Sequence, residues 1–331
     1  MDQTYIPLKD AAALYNLTYD RLRRAAYDGR LLVQRRDNRL MVRPAEIDRY
    51  IAEGGKAPRV QPLPRREGAA DGRVIAVAIP KGGTGKTTTT INLGVALAER
   101  GQRVLLIDCD PQASMTMALG FDPELLEWPL DRVIGTYLQS YDADLGVAIQ
   151  RTDEGVDLVP SSVNLNNLSN LVQQTYKPNE ILAVLIAPLR QRYDFILLDT
   201  LPYLGVLVMN ALAAADEVLV PLQAQLLASA SARLVVDQIA MVRRSGLNSR
   251  LAVCGFLLTQ VDSQASLQRD YVTEARRAFG EDGRVFDTQI EARPTVQESQ
   301  HDRKSMFRFR PNDPVTQSYR HLAAEVLNAA H

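Results

Sequence analysis

Lys81-Gly82-Gly83-Thr84-Gly85-Lys86-Thr87-Thr88 follows directly on the apolar run Val74-Ile75-Ala76-Val77-Ala78-Ile79. A strand that breaks into glycines and then starts a helix leaves several backbone N–H groups aimed at one spot, where the helix dipole also favours negative charge. Gly82, Gly83 and Gly85 let the backbone turn and approach phosphate oxygens with no Cβ in the way. Lys86 supplies a point charge for the β and γ phosphates of a triphosphate, and Thr87 offers its hydroxyl to Mg²⁺. Beyond Thr88 the chain reads as a helix, with Ile91, Val95 and Ala98 on one face. The usual loop pattern has glycine at position 80; this chain has Pro80 there and an additional lysine, Lys81, next to it.

Two further apolar runs end in carboxylates. Val104-Leu105-Leu106-Ile107 runs into Asp108-Cys109-Asp110-Pro111-Gln112, and Phe195-Ile196-Leu197-Leu198 into Asp199. In open α/β sheets the strand tips face the ligand. Asp199 is therefore expected to hold the hydration shell of Mg²⁺, Asp110 to orient a water toward the γ-phosphate, and Asp108 to hydrogen-bond the phosphate loop from below.

Strand-like runs recur at 74–79, 104–107, 156–159, 195–198, 218–220, 251–258 and 285–290, separated by helical patterns. Most are continuous rather than alternating, as expected when helices cover both faces of a sheet. The fold expected is α/β, a doubly wound, mostly parallel sheet built on the phosphate loop. Residues 54–72 hold Gly54-Gly55, Pro58, Pro62, Pro64 and Gly68 with almost no apolar periodicity, which reads as a linker. The expected division is a small domain at 1–53, the linker at 54–72 and the phosphate-loop domain at 73–331.

The chain of 331 residues carries a net charge of −1, but residues 1–66 hold 14 Lys/Arg against 8 Asp/Glu, so +6 there leaves −7 for the rest. A basic module on an acidic body points to a polyanion partner for the module. There is no long uncharged apolar run and no basic-then-apolar amino terminus, so the expectation is a cytoplasmic protein without a membrane partner. Cys109 and Cys254 read as buried apolar thiols, and His301, His321 and His331 as surface residues without metal-ligand spacing.

The loop at 81–88, the segment Asp108-Cys109-Asp110-Pro111-Gln112 and Asp199 together resemble the deviant Walker A, switch segment and Walker B of the ParA/Soj/MinD ATPases. Asn210-Ala211-Leu212, Ala215-Asp216, Val220-Pro221 and Gly255-Phe256-Leu257-Leu258-Thr259 follow in the order and spacing of ParA-type partition proteins. The resemblance covers about residues 73–330. It implies that Lys81 is the signature lysine, reaching across a homodimer interface to the partner's phosphates, so that ATP is the glue of the dimer and hydrolysis loosens it. It also implies catalysis by Lys81, Lys86 and Asp110, with a weak intrinsic ATPase rate stimulated by DNA and a ParB-like centromere-binding partner. Two positions depart from the pattern: Asp199-Thr200-Leu201-Pro202 keeps only the second of two expected prolines, and Thr84 stands where valine is commonest. The loop Asp262-Ser263-Gln264-Ala265-Ser266 also lacks the arginine that many relatives use on DNA. Non-specific DNA contacts are therefore expected from other cations, Arg243, Arg244 and Arg250 near one helix end and Arg269, Arg276 and Arg277 on a later helix.

The amino-terminal residues have a pattern of their own. Leu8, Ala11, Ala12 and Leu14-Tyr15 make a short helix, Asn16-Leu17 turns, and Thr18 caps a second helix carrying Arg21, Leu22, Arg23 and Arg24. Leu31–Gln34 and Leu40–Arg43 flank a turn at Asp37-Asn38, a hairpin with Arg35, Arg36 and Arg39 near its tip, and residues 44–51 close the unit with a helix. This resembles the winged helix-turn-helix of the MerR and excisionase type, which implies operator DNA contacts from Thr18, Tyr19, Arg21, Arg23 and Arg24 in the groove and from the arginine wing on phosphates.

The expected function is an ATP-dependent dimerising ATPase for plasmid or chromosome partition, nucleoid-associated and able to repress its own operon. Two other readings stay open. One is a MinD-like positioning ATPase on a membrane, although the helical stretch 314–331 lacks the basic face and bulky aromatics that lipid surfaces reward. The other is a transcription regulator in which ATP acts as a conformational ligand with little turnover.

Overall fold

The computed structural model describes residues 5–15, 17–27, 31–36, 39–52, 71–175, 177–203, 205–223, 228–262, 266–279 and 283–329. Most of the expected linker therefore lies outside the described residues.

The first unit comprises β1 (Ile6–Pro7), α1 (Leu8–Leu14), α2 (Tyr19–Tyr27), β2 (Gln34–Arg36), β3 (Arg39–Val42) and α3 (Pro44–Ala52). Thr18 does cap α2, its Oγ1 accepting the Arg21 N–H at 3.3 Å. The hairpin pairs Gln34 with Met41 and Arg36 with Arg39. It is shorter than its sequence pattern suggests, because Leu31 and Val33 turn inward to the core of the unit before pairing begins. β1 adds a third strand against β3 that the sequence reading missed; two residues are too few for a period to show. Leu8, Ala11 and Ala12 form the buried face of α1, and Leu14 at its end is 71% exposed.

From Arg73 the chain winds through β4 (Arg73–Val77), α4 (Lys86–Glu99), β5 (Val104–Asp108), α5 (Ser114–Ala118), α6 (Leu130–Ser140), β6 (Gln150–Arg151), β7 (Asp157–Val159), α7 (Asn164–Gln173), α8 (Ile181–Ile186), β8 (Phe195–Asp199), α9 (Val206–Ala214) and β9 (Glu217–Gln223). It continues through α10 (Ala228–Arg244), β10 (Ala252–Val261), α11 (Ser266–Phe279), β11 (Val285–Glu291), α12 (Pro294–His301), α13 (Met306–Phe309) and α14 (Pro314–Asn328). The strands form one sheet in the order β11-β10-β9-β4-β8-β5-β7-β6, parallel throughout except for the short edge strand β6. β4, β5 and β8 are buried on both faces, which is why their sequences are continuous apolar runs rather than alternating ones.

Apolar clusters lie on both faces of the sheet. One gathers α6 to α10, the other α4 and α14. α4 is buried over nearly its whole length, from Thr88 to Leu97, because α14 covers the side that the sheet does not. Gly94 lets α4 lie close on β5: a Cβ there would come within 2.7 Å of Leu106 Cδ2, and Leu106 is itself fully buried. α14 buries Val315, Tyr319, Leu322 and Val326, the face whose helical spacing the sequence displays.

This order places β8 between β4 and β5. Register aligns Val77 and Asp108 with opposite sides of Asp199, so the phosphate loop and both carboxylate-bearing tips open on one edge of the sheet.

Candidate nucleotide site

The loop leaves β4 and enters α4 with Gly83 at φ 72° and Gly85 at φ 83°, the left-handed region that favours glycine. An added Cβ at Gly82 or Gly83 would meet nothing within 4 Å, so the loop faces open space on its ligand side. That space is a cleft of about 950 Å³ lined by Gly82 to Thr88 and by Asp110. Lys86 is 7% exposed and its Nζ donates to the Lys81 carbonyl oxygen at 3.0 Å, which folds its cation into the curve of the loop. Burial pulls the Lys86 pKa below the ordinary lysine value, while Asp199 and Asp110 oppose that shift. Lys81 is half-buried and, among the described residues, stands outside those lining the cleft.

The Thr87 hydroxyl donates to Asp199 Oδ2 at 2.7 Å, and Thr90 Oγ1 reaches Asp199 Oδ1 at 3.4 Å. Thr200 behind it donates to the Val77 carbonyl oxygen at 2.8 Å, tying β8 to β4. Asp199 is wholly buried, and burial followed by the nearby Asp108 raises its pKa to about 8. A carboxylate kept out of water next to a second carboxylate needs a cation to ionise readily, and the threonine beside it is the residue type that ligates Mg²⁺ at such loops. Among the described residues no group of three His, Cys, Asp or Glu side chains could cage a metal. The donor set suits an ion that keeps waters and phosphate oxygens as its other ligands.

Asp110 lines the cleft, with its Oδ1 accepting the Gln112 N–H at 2.9 Å. Asp108 departs from its expected place. Instead of bonding the phosphate loop, its Oδ1 accepts the Asp110 N–H at 3.1 Å and its Oδ2 accepts the N–H and hydroxyl of Thr116 at 2.9 and 2.7 Å. It thus anchors the segment that carries Asp110, because α5 folds back over the end of β5. Burial raises its pKa to about 6 despite these three donors.

Several groups in or beside the cleft escaped the sequence reading. The Gly83 carbonyl oxygen accepts from Gln223 Nε2 at 2.8 Å and Gln260 Nε2 at 2.5 Å, and Thr259 Oγ1 donates to the Thr84 carbonyl oxygen at 2.9 Å. These donors from the tips of β9 and β10 hold loop carbonyls away from the cleft, which leaves its N–H groups for a ligand. Further along, the apolar Ile290, Pro294 and Val296 line the cleft beside the charged Glu291, Arg293 and Lys304, and Gln300 Nε2 donates to Thr88 Oγ1 at 2.7 Å.

The expected DNA-contacting residues lie elsewhere. Tyr19, Arg21, Arg23 and Arg39 are on the surface of the amino-terminal unit, while the side chains of Arg24, Arg35, Arg36 and Arg269 lie outside the described residues. Arg244 is exposed at the end of α10. Arg243 is exposed there too, and its Nε donates to the Leu251 carbonyl oxygen at the start of β10. Arg276 is engaged as well, with Asp287 at 3.3 Å.

Residues 72–253 match the family described as AAA domain. Over 258 residues the chain is 35% identical to the chromosome partitioning protein ParA of Caulobacter vibrioides, covering 77% of this chain and 94% of that protein. It is 32% identical over 256 residues to the sporulation initiation inhibitor protein Soj of Bacillus subtilis, covering 77% of this chain and 98% of Soj. The chain is a ParA/MinD-type P-loop ATPase. The same ParA-type fold recurs, at TM-score 0.66 and 32% identity over 77% of this chain and 94% of the other, in a Mycobacterium smegmatis crystal structure described as cobyrinic acid a,c-diamide synthase with bound ADP and magnesium. ATP and Mg²⁺ are the ligands of this ParA-type site. Among the described residues no helix is long and apolar enough to cross a membrane.

Proposed function

We propose that the protein is a partition ATPase that dimerises around ATP and binds DNA in that state. The observation that carries this reading is the division of labour between two lysines on one loop. Lys86 is folded into its own loop, whereas the partly exposed Lys81 is outside the cleft lining and, in this reading, serves a second subunit. A cation that reaches the phosphates only when two chains meet makes the γ-phosphate a condition of dimerisation.

In this reading the N–H groups of Gly82 to Thr88 and the Lys86 ammonium bind the phosphates, Thr87 and Asp199 position Mg²⁺, and Asp110 orients the attacking water. Held by Thr87 and Asp199, Mg²⁺ would supply positive charge to the phosphate oxygens. Asp108 holds the Asp110 segment in place through Thr116. The two mutually bonded glutamines, Gln223 and Gln260, keep the loop backbone turned toward the ligand.

The amino-terminal unit is read as a winged helix-turn-helix for operator DNA, with Tyr19, Arg21 and Arg23 on α2 and Arg39 on the hairpin as contacts; a dimer would place two such units on a two-fold site. The cell-biological setting proposed is the nucleoid, with a ParB-like protein stimulating hydrolysis and the operon under autorepression. The membrane reading is disfavoured, because the apolar residues of α14 are spent on the core.

Retention of the protein on a long, sequence-unrelated DNA at about 0.1 M salt tests the proposal. The wild type is expected to be retained at least about tenfold more strongly with Mg-ATPγS than with Mg-ADP, and Lys81→Ala to lose that difference. Equal retention in both nucleotides, or a Lys81→Ala variant that behaves like wild type, would overturn it.

A further inference from the structure

The segment that begins at Asp110 ends inside the apolar core of the amino-terminal unit. Ala113, at φ 51°, starts α5, and Thr116 within α5 is tied to Asp108. Gly120, at φ 90°, then turns the chain against β2: an added Cβ would lie 3.0 Å from the Gln34 side chain. Asp122 accepts the Glu124 N–H at 3.1 Å and caps a short turn at Pro123–Leu125 that packs against α2. Leu125 is 6% exposed and belongs to the same cluster as Leu22, Ala25, Ala26 and Ile47. A residue of the ATPase body thus completes the core of the small unit, fifteen positions after the carboxylate that lines the nucleotide cleft.

A second connection reaches the same unit from the other side of the cleft. Asn92 on α4 accepts the Met306 N–H at 2.9 Å, which fixes α13 to the phosphate-loop helix. Next to it, Ser305 donates its N–H and hydroxyl to Glu154 at 3.0 and 2.5 Å. The neighbouring Asp153 then gathers three partners: Tyr5 Oη at 3.2 Å and Arg43 Nη1 at 3.1 Å from the small unit, and Arg308 Nη1 from α13 at 3.7 Å. Asp153 is partly buried, with 15% of its side chain exposed, so it is less screened than a surface ion pair.

We propose that these two connections make the amino-terminal unit a sensor of the nucleotide cleft, with docking of residues 5–52 and nucleotide binding linked through Leu125 and Asp153. The inference rests on nucleotide binding at the phosphate loop and not on the DNA-binding reading. Both routes are contiguous chains of hydrogen bonds and packed side chains, and both start at elements that line the cleft, α5 with Asp110 and α4 with Thr88. Mg-nucleotide that fixes Asp110 and α4 where they stand favours the docked unit. By linkage, loss of docking weakens nucleotide binding by the same factor.

Hydrogen exchange read by mass spectrometry on the full chain, with and without Mg-ATPγS, tests this. In the wild type, protection of residues 82–92 is expected to be accompanied by exchange at least about fivefold slower in α1 and α3. Asp153→Asn, and independently Arg43→Gln, keep the protection at 82–92 but lose most of that at α1 and α3. Their ATPγS affinity falls by the factor lost from the docking equilibrium. Exchange in α1 and α3 that is unchanged or faster on nucleotide binding, while 82–92 become protected, would overturn the proposal and leave the nucleotide site standing. The same holds if both variants respond as wild type does. Absence of protection at 82–92 itself would overturn the nucleotide site and this inference with it.

Discussion

Asp199→Asn is expected to lower Mg²⁺-dependent ATP turnover by about 10–100-fold and, without nucleotide or Mg²⁺, to make the protein more stable. Both effects come from one carboxylate. Asp199 is wholly buried beside Asp108, its pKa raised to about 8 by burial first and by Asp108 second, against 3.8 in the unfolded chain. Between those values the folded state holds a proton that the unfolded state has released. Stability therefore falls as the pH rises through that window, since the slope follows the difference in bound protons between unfolded and native states. Asp108, raised to about 6, adds to the lower part of the same window. An asparagine cannot ionise, keeps an oxygen for the Thr87 hydroxyl, and removes the repulsion with Asp108. Thermal denaturation without ligand from pH 6 to pH 8.5 should show the wild-type midpoint falling with pH more steeply than the variant's, with the variant higher by roughly 3–6 °C at the alkaline end. Mg-ATP should reverse the order, because only the wild type has a charge to offer the ion. A variant that is destabilised at pH 8.5, or that hydrolyses ATP at the wild-type rate, would contradict the role given to this residue.

Lys86→Ala is expected to weaken Mg-ATP binding by about 2–5 kcal/mol, or about 30- to 4000-fold in Kd, the usual range for truncating one partner of a buried charge pair. The Lys86 cation is 7% exposed, lies near Asp199 and Asp110, and is aimed through the Lys81 carbonyl oxygen. Removing it leaves two carboxylates and a triphosphate without their compensating charge. Lys86→Arg should fail to restore binding, since a planar guanidinium does not fit a space shaped around a compact ammonium with one backbone acceptor. Isothermal titration with Mg-ATP and Mg-ADP measures both variants. Wild-type affinity in either would remove Lys86 from the site.

The phosphate loop and the positions of the carboxylates beside it could be read from the sequence because each is a local pattern: glycines between a strand and a helix, and carboxylates at the ends of apolar runs. The parallel α/β architecture was legible for the same reason. What joins distant positions was not. Nothing in residues 195–199 says that β8 lies between β4 and β5, and that insertion is what brings Asp199 to Thr87 across 112 positions. Gln223 and Gln260 sit 140 and 177 positions from Gly83, as single polar residues near the ends of apolar strands. Asp108 shared its strand-tip signature with Asp199, but α5 folding back to place Thr116 over it changed its partner. Leu125 looks like any apolar loop residue until the core it completes is assembled.

The central claim, that ATP is held between two copies of this chain with Lys81 serving the partner's site, is tested most directly by sedimentation velocity. With Mg-ATPγS the wild type should sediment as a dimer and with Mg-ADP as a monomer, while Lys81→Ala binds the nucleotide yet stays monomeric. A wild-type protein that remains monomeric when saturated with Mg-ATPγS, or a Lys81→Ala variant that dimerises as the wild type does, would contradict it.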